Sequence, residues 1–274
     1  MRVVPGGDDA DAPRLRRSFV AVDDAGAVLG RATATASARH PVYSELSVEA
    51  PSPDVVPALV DALGRAMAAA GCASRWVAVA EEGDGVEPLL AAAGLAPAVV
   101  SRSGRLVLAG LDLAPPPVPP AVTVAAEDPA ACVPVYEDLY DECHWWTPNV
   151  PYARGVPWAS FLGDAVPGTS FVARDLLGRP VTAAGVHRSP AGGPLLAPTA
   201  VRHGTRRPDA TAVLAAVVVR SLAAAAAAGT AEVDWECDDT MPELWAVLGS
   251  LGAEPARTVR AWLSATGEPS PAAS

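Results

Sequence analysis

The sequence predicts an α/β (α+β) protein made of two tandem copies of one fold, each a mixed central sheet flanked by helices. Three observations predict it. Two segments recur about 150 residues apart, the length of one ordinary domain. "SFVAVDDAG" from Ser18 returns as "SFVARDLLG" from Ser170, and "EPLLAAAGLAPAVVSRSGRLVL" from Glu87 returns as "PELWAVLGSLGAEPARTVRAWL" from Pro242. Between the copies lies "LAPPPVPPAV", Leu113 to Val122, where prolines remove backbone donors and favour an extended, semi-rigid linker. Within each copy, stretches of period-two alternation are followed by stretches of helical periodicity. The expected boundaries are 1–112 for the first copy, 113–121 for the linker and 122–274 for the second.

In the first copy, "SFVAVDD", "AVLGRATATASAR" and "YSELSVEA" read as a meander of strands. A helix from Pro53 to Gly71 follows, then the strand "SRWVAVAEE", a helix in "GVEPLLAAAG" and a strand in "RLVLAGL". The second copy opens with "AVTVAA" as a strand, then a helical, aromatic-rich stretch from Asp128 to about Gly163 that has no counterpart in the first. "SFVARD" and "PVTAAGVHRS" form a hairpin around "LLGR", and "PLLAPTAV" is the next strand. An arginine-rich loop leads to a helix stopped at Gly229, as a left-handed C-terminal glycine does. The strand "AEVDWECD", the helix "MPELWAVLGSLG" and the strand "ARTVRAWLSA" complete the order.

Composition narrows the function. About half of the 274 residues are apolar, enough for a substantial core, and the net charge is -11. An acidic chain repels nucleic acid and anionic membrane surfaces, so neither is an expected partner, and a small amine is favoured. The four cysteines are scattered without metal-site spacing, so no metal is expected. The segment "MRVVPGGDDADAPRLRRSF" lacks the apolar stretch of a signal peptide, and the expected compartment is the cytoplasm. Tandem halves can cover each other's sheet edges, so a monomer and a homodimer are both compatible.

The element order resembles the GNAT superfamily of acyl-CoA-dependent N-acyltransferases, in a tandem arrangement like that of mycothiol synthase relatives. That family ends its fourth strand in a pattern V-x-x-x-x-R-G-x-G-x-G/A-x-x-L. In "VRHGTRRPDATAVL", Val201 and Leu214 match the two ends and Arg206 the arginine. Arg207, Asp209 and Thr211 stand at the three small positions, where glycines would let backbone N–H groups approach phosphate closely. The resemblance implies acetyl-CoA as cosubstrate, with Thr199, Ala200, Val201, Arg206, Arg207, Asp209, Ala210 and Thr211 around its pyrophosphate. Two readings of the loop stay open. Arg202, Arg206 and Arg207 bind phosphate through charge-assisted hydrogen bonds, or they pair with nearby acids while Asp209 caps the helix. The matching turn of the first copy, "VEAPSPDVVPALV", has no arginine and carries Asp54 between prolines, a poor anion site.

N-acylation needs a base for the amine and donors for the oxyanion. Alternation along "AEVDWECDD" puts Glu232, Asp234, Glu236 and Asp238 on one face. Four like charges on one face are expected to raise at least one pKa. Glu236 and Asp234 are the candidate base or amine-binding carboxylates. The tyrosine that the family often carries after the fifth strand is missing. Cys237 reads as core. His144, Trp145, Trp146, Tyr152 and Trp158, in "ECHWWTPNVPYARGVPW", are the candidate substrate-binding residues, because aromatic faces suit a flat or cationic ligand. His40 and His187 read as strand-end surface residues. The leading expectation is acyl transfer to a small amine in the second copy. The alternative is a non-catalytic or CoA-independent protein of the same fold.

Overall fold

The structure, a computed structural model, describes residues 1–6, 15–36, 43–143, 165–188 and 193–264. The chain is mixed α/β and forms two compact units, one of Met1–Val100 with Val259–Ser274 and one of Ser101–Thr258. The expected linker, 113–121, lies inside the second unit, so the units do not divide where the composition shifts. Strand pairing sets the division instead.

In the first unit, strands β1 (Arg2–Pro5), β2 (Arg16–Val22), β3 (Val28–Ala36), β4 (Ser44–Glu49), β5 (Trp76–Glu81) and β12 (Arg257–Ser264) lie side by side in that order. Only β4 and β5 run parallel. The last described strand therefore joins this sheet, from Val259 opposite Glu81 to Leu263 opposite Val77, and it buries Trp262. Helix α1 (Val56–Ala69) turns Val56, Leu59, Leu63 and Met67 onto the sheet, a three-and-four spacing that keeps one face apolar. Ala21, Ala32 and Ala34 beneath it are small enough to let the helix sit close. The Ser52 hydroxyl accepts from Asp54 N and caps the 3-10 turn before α1. Helix α2 (Glu87–Ala92) leads into the long strand β6 (Leu95–Val107), and β1 adds a strand that the sequence reading did not include.

The second unit begins within β6. Ser101–Val107 of that strand pairs with β11 (Glu232–Asp238), and the sheet continues through β10 (Pro194–Pro198), β9 (Pro180–Arg188), β8 (Phe171–Asp175) and β7 (Val122–Ala126). β10 and β11 are its parallel pair. Helix α3 (Pro129–Cys143) covers one face through Cys132, Val135, Tyr136 and Leu139, which pack on Val172, Ala183 and Ala197. Adjacent residues Ala173, Ala184 and Leu196 belong to the core on the other face, as strand alternation requires. That core contains α4 (Ala210–Ala227) and α5 (Pro242–Ser250).

Among the described residues α4 alone is long and apolar enough to cross a membrane, yet Val213, Leu214, Val217, Val218 and Leu222 are buried in this core. Its Ser221 hydroxyl is shared between Ala184 O on β9 and Val217 O one turn back. A helix apolar on most sides is what a position enclosed by protein requires.

Candidate active site

The site begins where two parallel strands part. β10 and β11 pair only at Leu195 with Asp234 and Leu196 with Trp235. Beyond that point β11 stays with β6 as far as Asp238 opposite Ser101. β10 stays with β9 to Pro198 opposite Ala184, and Thr199 N donates to Ala183 O. The backbone of Thr199 thus faces β9, and by alternation that of Pro198 faces the gap left by β11. Proline has no N–H, so it ends the ladder without an unsatisfied donor and offers none to the gap. The first unit parts in the same way, β4 and β5 pairing only at Ser44 with Trp76 and Glu45 with Val77.

The acidic face of β11 lines up with β6. Arg105, opposite Asp234, donates to Asp234 at 3.0 Å and reaches Glu232 at 2.9 Å. The exposed Glu236 accepts from the Ser101 hydroxyl at 2.9 Å. Both candidates expected from the sequence are therefore held by the neighbouring strand. The group left poised is Asp238, at the C-terminal end of β11 and on the open side of the gap. Burial pushes its pKa up to about 6, the Ser101 hydroxyl opposes that shift, and Glu236 and Asp239 add to it by repulsion. The face alternation that singled out Glu236 and Asp234 also contains Asp238. Nothing in the sequence ranked burial along the strand.

On the opposite face of β11, Trp235 is fully buried and Trp245 of α5 lies 6.0 Å from it, with the Arg102 guanidinium 5.4 Å over the Trp245 ring. Cys237 is buried as expected, and burial pushes its thiol up to about 12, so it is no nucleophile.

The loop after β10 is closed on itself. Val201, Ala200 and Ala210 are buried in the core. The Thr199 hydroxyl accepts from Ala183 N at 2.9 Å. Gly204 N donates to Val201 O, Arg206 N to His203 O, Arg207 N to Gly204 O and Ala210 N to Arg207 O. The arginines divide the same way. Arg202 pairs with Asp138 of α3 and donates to Pro180 O, and Arg207 pairs with Asp209 at 2.7 Å. Asp209 was expected to cap α4 with its side chain. It makes no such bond, because its carboxylate is taken by Arg207. Arg206 and Thr211 are exposed, and Arg206 has no carboxylate partner among the described residues.

Among the described residues, three acidic side chains of the neighbouring helices border this loop. Besides Asp138, the Glu142 carboxylate receives His203 N at 3.4 Å and lies 3.5 Å from His203 Nδ1. Glu243, in the first turn of α5, lies so close to Gly204 that a Cβ there would fall 2.8 Å from its Oε1. His203 itself adopts the left-handed conformation, φ 55°, uncommon for a residue with a side chain. Four amides of this loop are used internally and carboxylates approach it from two helices, which makes it a poorer cradle for pyrophosphate than a glycine-rich turn.

The five expected substrate residues, His144, Trp145, Trp146, Tyr152 and Trp158, lie outside the described residues, as does His40. Tyr136 opens the aromatic-rich stretch, where the sequence gives it no role of its own. Its hydroxyl, buried between α3 and the sheet, donates to Ala197 O of β10, two residues before the loop. Burial raises its pKa, so it stays neutral. His187 was read as a surface residue and is fully buried, its ring edge-on to Tyr136 at 6.3 Å. The helical cover over β9 explains the difference, since strand-end position carries no information about what packs above it.

A mixed sheet with a parallel pair that parts, a helix starting beside the gap and two such units in one chain define a fold class. The chain has the fold of the GCN5-related N-acetyltransferases. It resembles a GCN5-related N-acetyltransferase from Sphaerobacter thermophilus at TM-score 0.59 and 15% identity, over 90% of this chain and 79% of that one. A tandem GNAT protein from the clavulanic acid biosynthesis pathway aligns at TM-score 0.52 and 16% identity, over 93% and 84% of the two chains. A GCN5-related N-acetyltransferase from Kribbella flavida aligns at 0.52 and 19%, over 88% and 89%. No family model and no curated protein matches the sequence.

Proposed function

We propose that the protein is an N-acyltransferase that moves an acyl group, acetyl in the simplest case, from acyl-CoA to a small amine at the second unit. The observation that carries this reading is the parting of β10 and β11 beside Asp238, a carboxyl with a pKa of about 6. Such a group is ionised at neutral pH and still basic enough to accept a proton from an amine. The fold shared with N-acetyltransferases supports the donor class. Glu236 and Asp239 add negative charge beside Asp238, which favours a cationic amine as the incoming substrate. Calorimetric titration with acetyl-CoA tests the reading. Binding weakened by Arg206→Ala is the expected result, and no heat at millimolar acetyl-CoA would rule it out.

A second reading is favoured by Pro198 and by the closed loop: a protein of the same fold that binds its ligand without CoA. Native mass spectrometry of the purified chain separates the two. A retained small molecule that acetyl-CoA does not displace supports the second.

A further inference from the structure

We propose that Glu142 and Glu243 are specificity-determining residues, their carboxylates holding the ground that the phosphates of an acyl donor would take at the loop 201–207. The proposal rests on the acyltransferase reading and concerns how the second unit admits its donor. Three observations meet at one place. Glu142, from α3, receives His203 N and lies beside the His203 ring. Glu243, from α5, faces the backbone of Gly204 within 2.8 Å of where a Cβ would stand. The residue between these contacts and Val201, Arg202, is drawn to a third carboxylate, Asp138. Two helices thus present acids to three consecutive loop residues, 202–204, in the connection between β10 and α4.

The chemistry of a carboxylate explains why this arrangement is stable. Positive charge from arginines and the start of a helix attracts an anion, and a carboxylate delivered by the chain meets that demand without loss of translational freedom. An incoming phosphate would then face like charges, which weakens its binding unless the carboxylates move away. The glycine-rich cradle of a phosphate site works by backbone access. Here the Gly204 amide is taken by Val201 O, and Glu243 fills the space beside the Gly204 Cα. Glu142 and Glu243 therefore set how strongly the loop holds a phosphate-bearing donor, and Arg206, exposed and without a carboxylate partner among the described residues, is the cation that would meet it.

The test is a gain of binding, independent of turnover. Titrations of inorganic pyrophosphate and of acetyl-CoA are run on the full chain, on Glu142→Gln, on Glu243→Gln and on the double variant. Glutamine keeps shape and hydrogen-bonding capacity while removing charge, and thermal melts check that each variant folds. The double variant is expected to bind pyrophosphate at least about tenfold more tightly than the unaltered chain, with smaller gains in the single variants. Unchanged pyrophosphate affinity in all three variants would overturn the proposal. If acetyl-CoA already binds the unaltered chain and no variant improves it, the acyltransferase reading survives and this proposal fails. If pyrophosphate binding is gained while acetyl-CoA binds none of the four, the proposal stands and the acyl-CoA reading falls.

Discussion

Trp235 of β11 lies against Gly104 of β6 so closely that a Cβ on Gly104 would fall 2.9 Å from the indole and 2.6 Å from Glu254 O. The two residues are paired in register, and the missing side chain on one strand makes room for the largest side chain on the other. Gly104→Ala forces the backbone carbonyl or the ring to shift in a close-packed core. Overpacking of this kind costs about 1–3 kcal/mol. Thermal denaturation checks the prediction, the midpoint falling by several degrees. A conserved midpoint would mean that the strands separate at no cost.

Asp238 predicts how stability varies with pH. Its folded-state pKa, about 6, lies above the ordinary 3.8, so the native state holds this proton more tightly than the unfolded chain does. The stability gained is full below the ordinary pKa and is lost as pH rises through about 6. The loss amounts to about 3 kcal/mol for a shift of this size. Asp238→Asn removes the ionisation, so its denaturant midpoint falls less between pH 4 and pH 7 than that of the unaltered chain. Identical slopes in the two proteins would assign the titration elsewhere.

Tyr136 predicts the strength of the tie between α3 and β10. Tyr136→Phe deletes a buried hydroxyl and leaves Ala197 O without that donor, a change worth about 1–3 kcal/mol. Hydrogen exchange of the amides around Ala197 and Thr199 should quicken more than exchange in β7. An equal change across the unit would mean global loosening instead of a local tie.

The last strand belongs to the first unit. Trp262→Ala removes a buried indole from the core formed with Leu59, Leu63 and Trp76, at about 3–5 kcal/mol. Deletion of 259–274 leaves β5 without its antiparallel partner. In both variants the amides of Trp76–Glu81 should lose protection from exchange, while those of α4 keep theirs. Loss confined to α4 would contradict the assignment of β12 to the first unit.

Much of the candidate site was visible in the sequence, but in a form that lacked ranking. Alternation in "EVDWECD" placed four acids on one face and Trp235 and Cys237 on the other, as the structure has them. It could not tell that Arg105 would pair with both Asp234 and Glu232 while Asp238, among the described residues, met a serine and further acids. Arg105 and Ser101 come from β6, more than a hundred residues away. The arginine loop was likewise recognisable by its position after a strand and before a helix. Whether its arginines were free depended on Asp138, whose approach is set by how α3 packs on β9.

By itself the sequence determined the duplicated element order, the α/β class and the position of the loop before α4. These follow from local periodicity and turn residues, which act within a few residues along the chain. Tertiary structure alone decided that β12 completes the first unit, that Asp238 is the poised carboxyl, and that Glu142 and Glu243 close on the loop. Each of these depends on which strands pair and which helices meet, contacts between distant segments that no local pattern encodes.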